Sequence, residues 1–465
     1  MQYKLRTQYK KIVADTLTPV SIYLKLRDQF EGSFLLESSD YHTSENSFSY
    51  ICCNPLASFK IEKGNFTAFY PNDRIEQLTL STTKELISAI QGFSAQFETD
   101  TLDFKFVSNG LFGYTSYDAV QYFESVELDP NKPGIEIPEM HYTLFQNIIA
   151  IDHFKNEAYI FCHSLDKTNN LDRLEKLLRE AQFSTFSYTN EGATTYNMTD
   201  DAFKSLVTKA KEHCQRGDVF QLVLSRRTEQ QFKGDEFNVY RALRSINPSP
   251  YLFYFDYTDF KLFGSSPEAQ LIVQNGRAEI HPIAGTYRRT GNDEQDAALA
   301  KRLSEDEKEN AEHVMLVDLA RNDLSRNGTE IEVKTYREVQ YFSHVIHLVS
   351  KVIAKKQPNV SSLQLMADTF PAGTLSGAPK PMALKLIERY EPTKRGYYGG
   401  AIGIFDFNDN YNHAILIRSF LSHQSTLYYQ AGAGIVASSS EESELQETYN
   451  KLGALQKALE LAETL

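Results

Sequence analysis

The stretch Ser304-Glu305-Asp306-Glu307-Lys308-Glu309-Asn310-Ala311-Glu312-His313-Val314-Met315-Leu316-Val317-Asp318-Leu319-Ala320-Arg321-Asn322-Asp323 decides how this chain is read. Ser304 with Glu307 three positions on predicts a capping box, and the periodic run that follows predicts a helix to residue 323 with Val314, Leu316, Val317 and Leu319 available for burial. Glu309 and Glu312 then stand one turn apart on one face. A second helix is predicted from Ser439 or Ser440 through Leu445, Leu452, Leu455 and Leu459, and it carries Glu444 and Glu447 in the same relation. Two such helices facing each other would make a cage of carboxylates for a hard cation. The alternative for each couple is a solvated helix face carrying capping acids.

Four glycine-rich or polar segments accompany these helices: Gly264-Ser265-Ser266-Pro267-Glu268, Pro282-Ile283-Ala284-Gly285-Thr286, Gly373-Thr374-Leu375-Ser376-Gly377-Ala378-Pro379-Lys380 and Gln430-Ala431-Gly432-Ala433-Gly434. Glycines let backbone approach a ligand and offer N–H groups to anionic oxygens. None of the four is a dinucleotide fingerprint or a Walker loop, so a carboxylate-bearing substrate fits better than a nucleotide.

In this order, the quoted motifs resemble the chorismate-utilising enzymes, strongly over roughly residues 200–463 and more weakly before. The resemblance implies an α+β fold, a two-domain α/β sandwich with stacked mixed or antiparallel sheets and outer helices, and a Mg²⁺-dependent lyase. In the family the second glutamate of each helix ligates Mg²⁺, here Glu312 and Glu447, with Glu309 and Glu444 holding waters or the outer cage. Mg²⁺ keeps several waters and needs few protein oxygens beside a substrate carboxylate.

Expelling a ring hydroxyl requires an acid placed against it, and Glu268 matches the family's general acid; a turn carboxylate capping the next segment is the alternative. His347, in the apolar run Val345-Ile346-His347-Leu348-Val349, matches the histidine of the pyruvate-elimination half, the alternative being a core histidine. Arg418, in Ile415-Leu416-Ile417-Arg418-Ser419, reads as a cation inside an apolar strand, which demands an anionic partner; a bidentate grip on a substrate carboxylate supplies one. By resemblance the substrate also meets Tyr398, Gly285, Thr286, Thr374 and the backbone of Gly432, Ala433 and Gly434. Lys451 is either a further carboxylate partner or a helix salt bridge to Glu447.

Two positions discriminate within the family. Water-using members carry a lysine base where this chain has Gln221, and aminodeoxychorismate-forming members carry a lysine nucleophile where it has Ala284. Both point to the anthranilate-forming branch: chorismate and ammonia to anthranilate and pyruvate. The rival readings are the aminodeoxychorismate branch and a non-catalytic tryptophan sensor. Leu35-Leu36-Glu37-Ser38 and Asn247-Pro248-Ser249-Pro250-Tyr251-Leu252 match the family's tryptophan-binding elements, so Glu37, Ser38, Pro250, Tyr251 and Leu252 are expected to form a feedback site for L-tryptophan. No cysteine sits in an amidotransferase elbow, so ammonia from glutamine is expected from a separate subunit in a hetero-oligomer.

A length of 465 residues predicts about two or three core-forming units. The Ser, Thr, Asn and Gly-rich segment 187–199 reads as a linker or crossing loop, which sets an N-terminal domain at 1–190, carrying part of the effector site, and a catalytic domain at 191–465. Strands are expected at 147–151, 157–161, 219–224, 252–256, 271–273 and 278–282 and in a C-terminal meander from 401, with helices at 171–180, 201–216, 361–369 and 381–390. A net charge of −13 argues against a nucleic-acid surface. No apolar run suggests a membrane span or signal peptide, and four sparse cysteines suggest reduced thiols in a cytoplasmic protein.

Overall fold

The computed structural model describes residues 2–38, 47–100, 102–166, 168–180, 182–342 and 345–465, the side chains of Thr286 and Lys308 excepted. Its frame is one long antiparallel pair, Phe48–Glu62 against Met140–Asp152, shared by two large sheets. Residues 48–53 and 147–152 belong to a first sheet that continues through Phe34–Ser38, Tyr251–Asp256, Phe260–Ser266, Ser419–His423, Thr426–Ile435 and Gln221–Gly234. Residues 57–61 and 140–144 belong to a second sheet running through Leu111–Thr115, Ala401–Phe405, Tyr411–Ile415, Ala269–Gln274, Arg277–Ile280 and Val345–Lys356. The register slips between Pro55 and Ala57, where proline cannot donate to the ladder and the strand turns from one sheet into the other.

An apolar core fills the space between the sheets, with Phe34, Phe253 and Phe255 from the first and Phe112 and Ile402 from the second. Phe34 and Phe255 stack with centroids 4.3 Å apart. Helices cover the outer faces: Glu441–Ala462 packs on Phe237–Ile246 and on Thr426–Ile435, and Glu307–Ser325 packs on Ile283–Arg288 and Val345–Lys356. The fold is α+β with antiparallel sheets and outer helices, as expected; the pair of Tyr3–Val13 with Phe97–Thr99 is parallel.

Several local expectations are corrected. Residues 187–199 contain the strand Tyr188–Tyr196, paired with Gln221–Gly234, rather than a linker. Most of that strand is exposed, so it lacks the apolar alternation that would have marked it. Ser304 is no N-cap: it lies in the last turn of the helix Asp293–Glu305 and donates to Lys301 O. The chain breaks at Asp306, whose carboxylate accepts from Glu309 N at 3.1 Å and so caps the helix Glu307–Ser325. Val314 is 40% exposed rather than buried, while Leu316 and Val317 are buried. The second acidic helix begins where expected, Ser440 accepting from Ser443 N. Strands from both sides of residue 190 pair with each other, Phe34–Ser38 with Tyr251–Asp256 and Leu111–Thr115 with Ala401–Phe405. All four cysteines are free thiols, and among the described residues no helix is long and apolar enough to cross a membrane.

Candidate active site

The chain crosses between the sheets twice at one place. Phe260–Ser266 lies in the first sheet and Ala269–Gln274 in the second; Tyr411–Ile415 lies in the second and Ser419–His423 in the first. Glu268 is on the first crossing and Arg418 on the other. The crossings are tied by backbone hydrogen bonds, Ile415 N to Glu268 O at 2.9 Å and Ser265 N to Arg418 O at 3.1 Å. They run so close that a Cβ on Gly264 would meet Ser419 Cβ at 2.6 Å. Arg418 is therefore not inside a strand: the ladder stops at residues 416–418 and Arg418 takes φ +49°. That left-handed backbone costs a non-glycine residue roughly 1–2 kcal/mol, which the two flanking ladders sustain. Its guanidinium acts electrostatically on both Glu268 and His347.

Burial raises the Glu268 carboxyl to about 8, against a donated hydrogen bond from Thr374 Oγ1 at 3.2 Å and the charges of Arg418 and Lys451, which pull it back. Glu268 therefore holds its proton at neutral pH while its side chain remains partly exposed to the cleft. This is the state a general acid requires. Thr374 is presented by the short helix Gly373–Ser376, at whose first residue a Cβ would overlap the Leu319 side chain.

His347 is 5% exposed, and its Nδ1 donates to Gly285 O at 2.7 Å. A carbonyl only accepts, so the neutral ring carries its proton on Nδ1 and its lone pair on Nε2. Burial pushes this histidine down to about 4, with Gly285 acting the other way and Arg418 adding to the fall. Gly285 itself has φ +68°, and a Cβ there would stand 3.2 Å from Glu309 Oε2. The Thr286 side chain lies outside the described residues; its backbone pairs with His347.

The acidic helices meet the site through Gln221 and the glycines. Gln221 Nε2 donates to Glu312 Oε1 at 3.0 Å, and a Cβ on Gly434 would press on that same nitrogen at 2.6 Å. Lys451 Nζ donates to Gly432 O at 2.8 Å and pairs with Glu447 at 2.7 Å. Of the two alternatives for Lys451 the salt bridge to Glu447 is present, and the lysine's charge also acts on Glu268. Its pair with Glu447 is nearly half exposed and contributes little to stability. Tyr398 is buried, and Gly432 lies against its hydroxyl. Glu444 is 5% exposed. Among the described residues no three His, Cys, Asp or Glu side chains converge as a metal cluster; a Mg²⁺ ion that keeps its waters needs only one or two carboxylates. The oxygen-only donor set of the two helices fits such an ion.

The expected effector residues come together. Ser38 pairs with Tyr251 and Glu37 with Leu252. The Glu37 side chain is engaged by Arg244, at 2.7 Å to each oxygen, and by Tyr240 OH at 2.6 Å. Pro250 precedes the strand Tyr251–Asp256.

The sequence reading passed over Gln270, Thr369, and the buried pair Lys380–Asp323 at 2.8 Å behind Glu268. The available signal was a polar residue, Gln270, within the apolar run Ala269-Gln270-Leu271-Ile272-Val273.

An acid on a sheet crossing, an arginine beside it and acidic helices over glycine-rich strands agree with the matching family. The model for chorismate binding enzymes covers residues 32–457, and the chain belongs to that family. Within it, the chain is 36% identical over 484 residues to anthranilate synthase component 1 of Aquifex aeolicus, covering 99% of this chain and 96% of the relative. It is 38% identical to that of Acetivibrio thermocellus, covering 97% and 94%. The crystal structure of anthranilate synthase component I from Streptococcus pneumoniae superposes with a TM-score of 0.76 at 31% identity, over 96% of this chain and 99% of that one. The menaquinone-specific isochorismate synthase of Escherichia coli shares the fold, with a TM-score of 0.74 at 16% identity over 98% and 95%.

Proposed function

We propose that the chain is the chorismate-aminating component of an anthranilate synthase, converting chorismate and ammonia to anthranilate, pyruvate and water in tryptophan biosynthesis. The observation that carries this reading is Gln221: its amide is spent on Glu312, so the position where water-using relatives need a base offers none. Ammonia brings its own lone pair. Ala284 removes the lysine that a covalent route would use.

Glu268 protonates the departing C4 hydroxyl, which leaves as water while ammonia adds to the ring. Arg418 grips a substrate carboxylate with two parallel donors, and Tyr398, Thr374, Lys451 and the backbone from Gly432 to Gly434 line the remaining surface. His347 Nε2 then takes the ring proton as the enolpyruvyl group leaves to become pyruvate. Glu312 and Glu447 would hold Mg²⁺, with Glu309 and Glu444 behind them. When bound, the ion supplies positive charge to a substrate carboxylate in a chain whose overall field is repulsive to anions.

In this reading glutamine-derived ammonia arrives from a separate amidotransferase subunit, L-tryptophan inhibits at Ser38 and Tyr251, and the enzyme works in the cytoplasm, in keeping with its free thiols. Anthranilate fluorescence from chorismate, Mg²⁺ and ammonium with purified chain tests the reaction; no fluorescence under these conditions refutes it. Glutamine should replace ammonium only after the partner is added, so glutamine-driven turnover by the isolated chain would remove the need for a partner.

A further inference from the structure

Beside Glu268 lies a cavity of about 30 Å³ bordered by Glu268, Gln270, Ala320, Asp323, Thr369 and Thr374. This is room for two or three waters, since a single water needs about 10–15 Å³. Gln270 is 2% exposed. It is also the extra residue of a β-bulge, because Ala269 pairs with Ala414 while Leu271 pairs with His413. Bulges beside active sites re-aim a side chain. Gln270 Nε2 donates to Thr369 Oγ1 at 3.0 Å, and Thr369 Oγ1 donates its own proton to Leu365 O at 2.9 Å. The amide orientation is therefore fixed: Thr369 can only accept, so nitrogen must face it and oxygen the other way. Among the described residues Gln270 Oε1 has no hydrogen-bond partner, and an orphaned buried acceptor of this kind is costly.

We propose that the cavity holds one ordered water donating to both Gln270 Oε1 and the Glu268 carboxyl, which makes Gln270 a positioning residue for the acid. The proposal rests on Glu268 being the general acid. Once Glu268 has delivered its proton, its carboxylate is left in a site closed by substrate. Thr374 supplies one hydrogen bond, and the water, anchored by Gln270, supplies a second. Hydrogen bonds to the charged form favour it, so the water makes Glu268 a stronger acid. The other charges facing Glu268 are Arg418 and Lys451 across the cleft. At the far wall of the cavity Asp323 is neutralised by Lys380, which also donates to Thr369 O.

Two variants remove the water by different means. Gln270→Met deletes its anchor, and Ala320→Val fills its space while leaving Gln270 in place. Each should lower kcat about tenfold, leave KM for chorismate within about twofold, and move the descending limb of the kcat profile upward by about one pH unit, since a weaker acid stays protonated longer. A high-resolution crystal structure of the unaltered chain should show density between Gln270 Oε1 and Glu268, and both variants should lose it. An empty cavity in the unaltered chain overturns the proposal. So does a pH profile that stays in place in both variants, even where the water is seen. Glu268→Gln separates the two readings: full turnover by that variant sinks the acid role itself, whatever the cavity contains.

Discussion

Ser38 and Tyr251 lie directly opposite each other across two antiparallel strands, though they are far apart in the sequence. On its other side Tyr251 pairs with Ser266, two residues before Glu268. A ligand held between Ser38 and Tyr251 therefore sits one strand from the crossing that carries Glu268.

Tryptophan should accordingly bind at Ser38 and Tyr251 and weaken chorismate binding. A coupling of about 1–3 kcal/mol corresponds to roughly 5- to 150-fold, and chorismate must weaken tryptophan by the same factor. Ser38→Arg should relieve inhibition and leave uninhibited turnover within about twofold. The chain has no tryptophan of its own, so fluorescence of the added amino acid reports binding directly. Unchanged affinity in the variant removes the assignment.

Glu268 sets a pH dependence in both activity and stability. Its folded carboxyl sits near 8, above the ordinary 4.5. Activity that needs the acid form should fall as pH rises through about 8. For folding, the native state holds a proton that the unfolded chain has lost above about 4.5, so stability declines from there to about 8. Glu268→Gln should lower kcat by about 10²- to 10⁴-fold and should unfold at a higher temperature than the parent at pH 9, with the gap closing by pH 4. A thermal scan at the two pH values decides the second point.

His347 should stay neutral across pH 6–9, because burial holds it near 4. His347→Met should keep the amination step and lose elimination, so that aminodeoxyisochorismate accumulates while anthranilate formation drops by about 10²-fold or more. Chromatography of the products reads this. Normal anthranilate formation would make the residue a packing histidine.

Glu312→Gln and Glu447→Gln should each weaken Mg²⁺ binding by tenfold or more, about 1.4 kcal/mol or greater, with unfolding temperatures near the parent's. Calorimetric titration with Mg²⁺ measures this without reference to turnover. Full activity in excess chelator would exclude the ion.

Lys380→Met should cost about 3–5 kcal/mol, since it strands Asp323 without its partner in a mostly buried setting. Adding Asp323→Leu should restore most of the loss. Denaturation of the two variants side by side tests the claim, and additive losses would show that the pair is not coupled.

The acidic helices, the Ser266-Pro267-Glu268 turn and the glycine-rich segments were readable in the sequence. Each rests on local chemistry: caps, periodicity, glycine and charge placed where an ordinary core does not need them. Even so, local signals misled where neighbours decided. Ser304 and Glu307 had the form of a capping box, yet the helix Asp293–Glu305 runs through Ser304 and Asp306 caps the next. Residues 188–196 had a linker's composition, yet an adjacent strand supplies their hydrogen bonds.

The tertiary structure alone decided what stands beside what. No local pattern could reveal that Arg418 leaves its strand to cross between sheets beside Glu268. Nor could it show that Gly285 hands its carbonyl to His347 and its bare Cα to Glu309, or that Ser38 lies against Tyr251. Those relations depend on register between strands distant in sequence. Register is fixed by burying Phe34, Phe253 and Phe255 against the second sheet, and a slip of one residue would turn every one of those side chains to the wrong face.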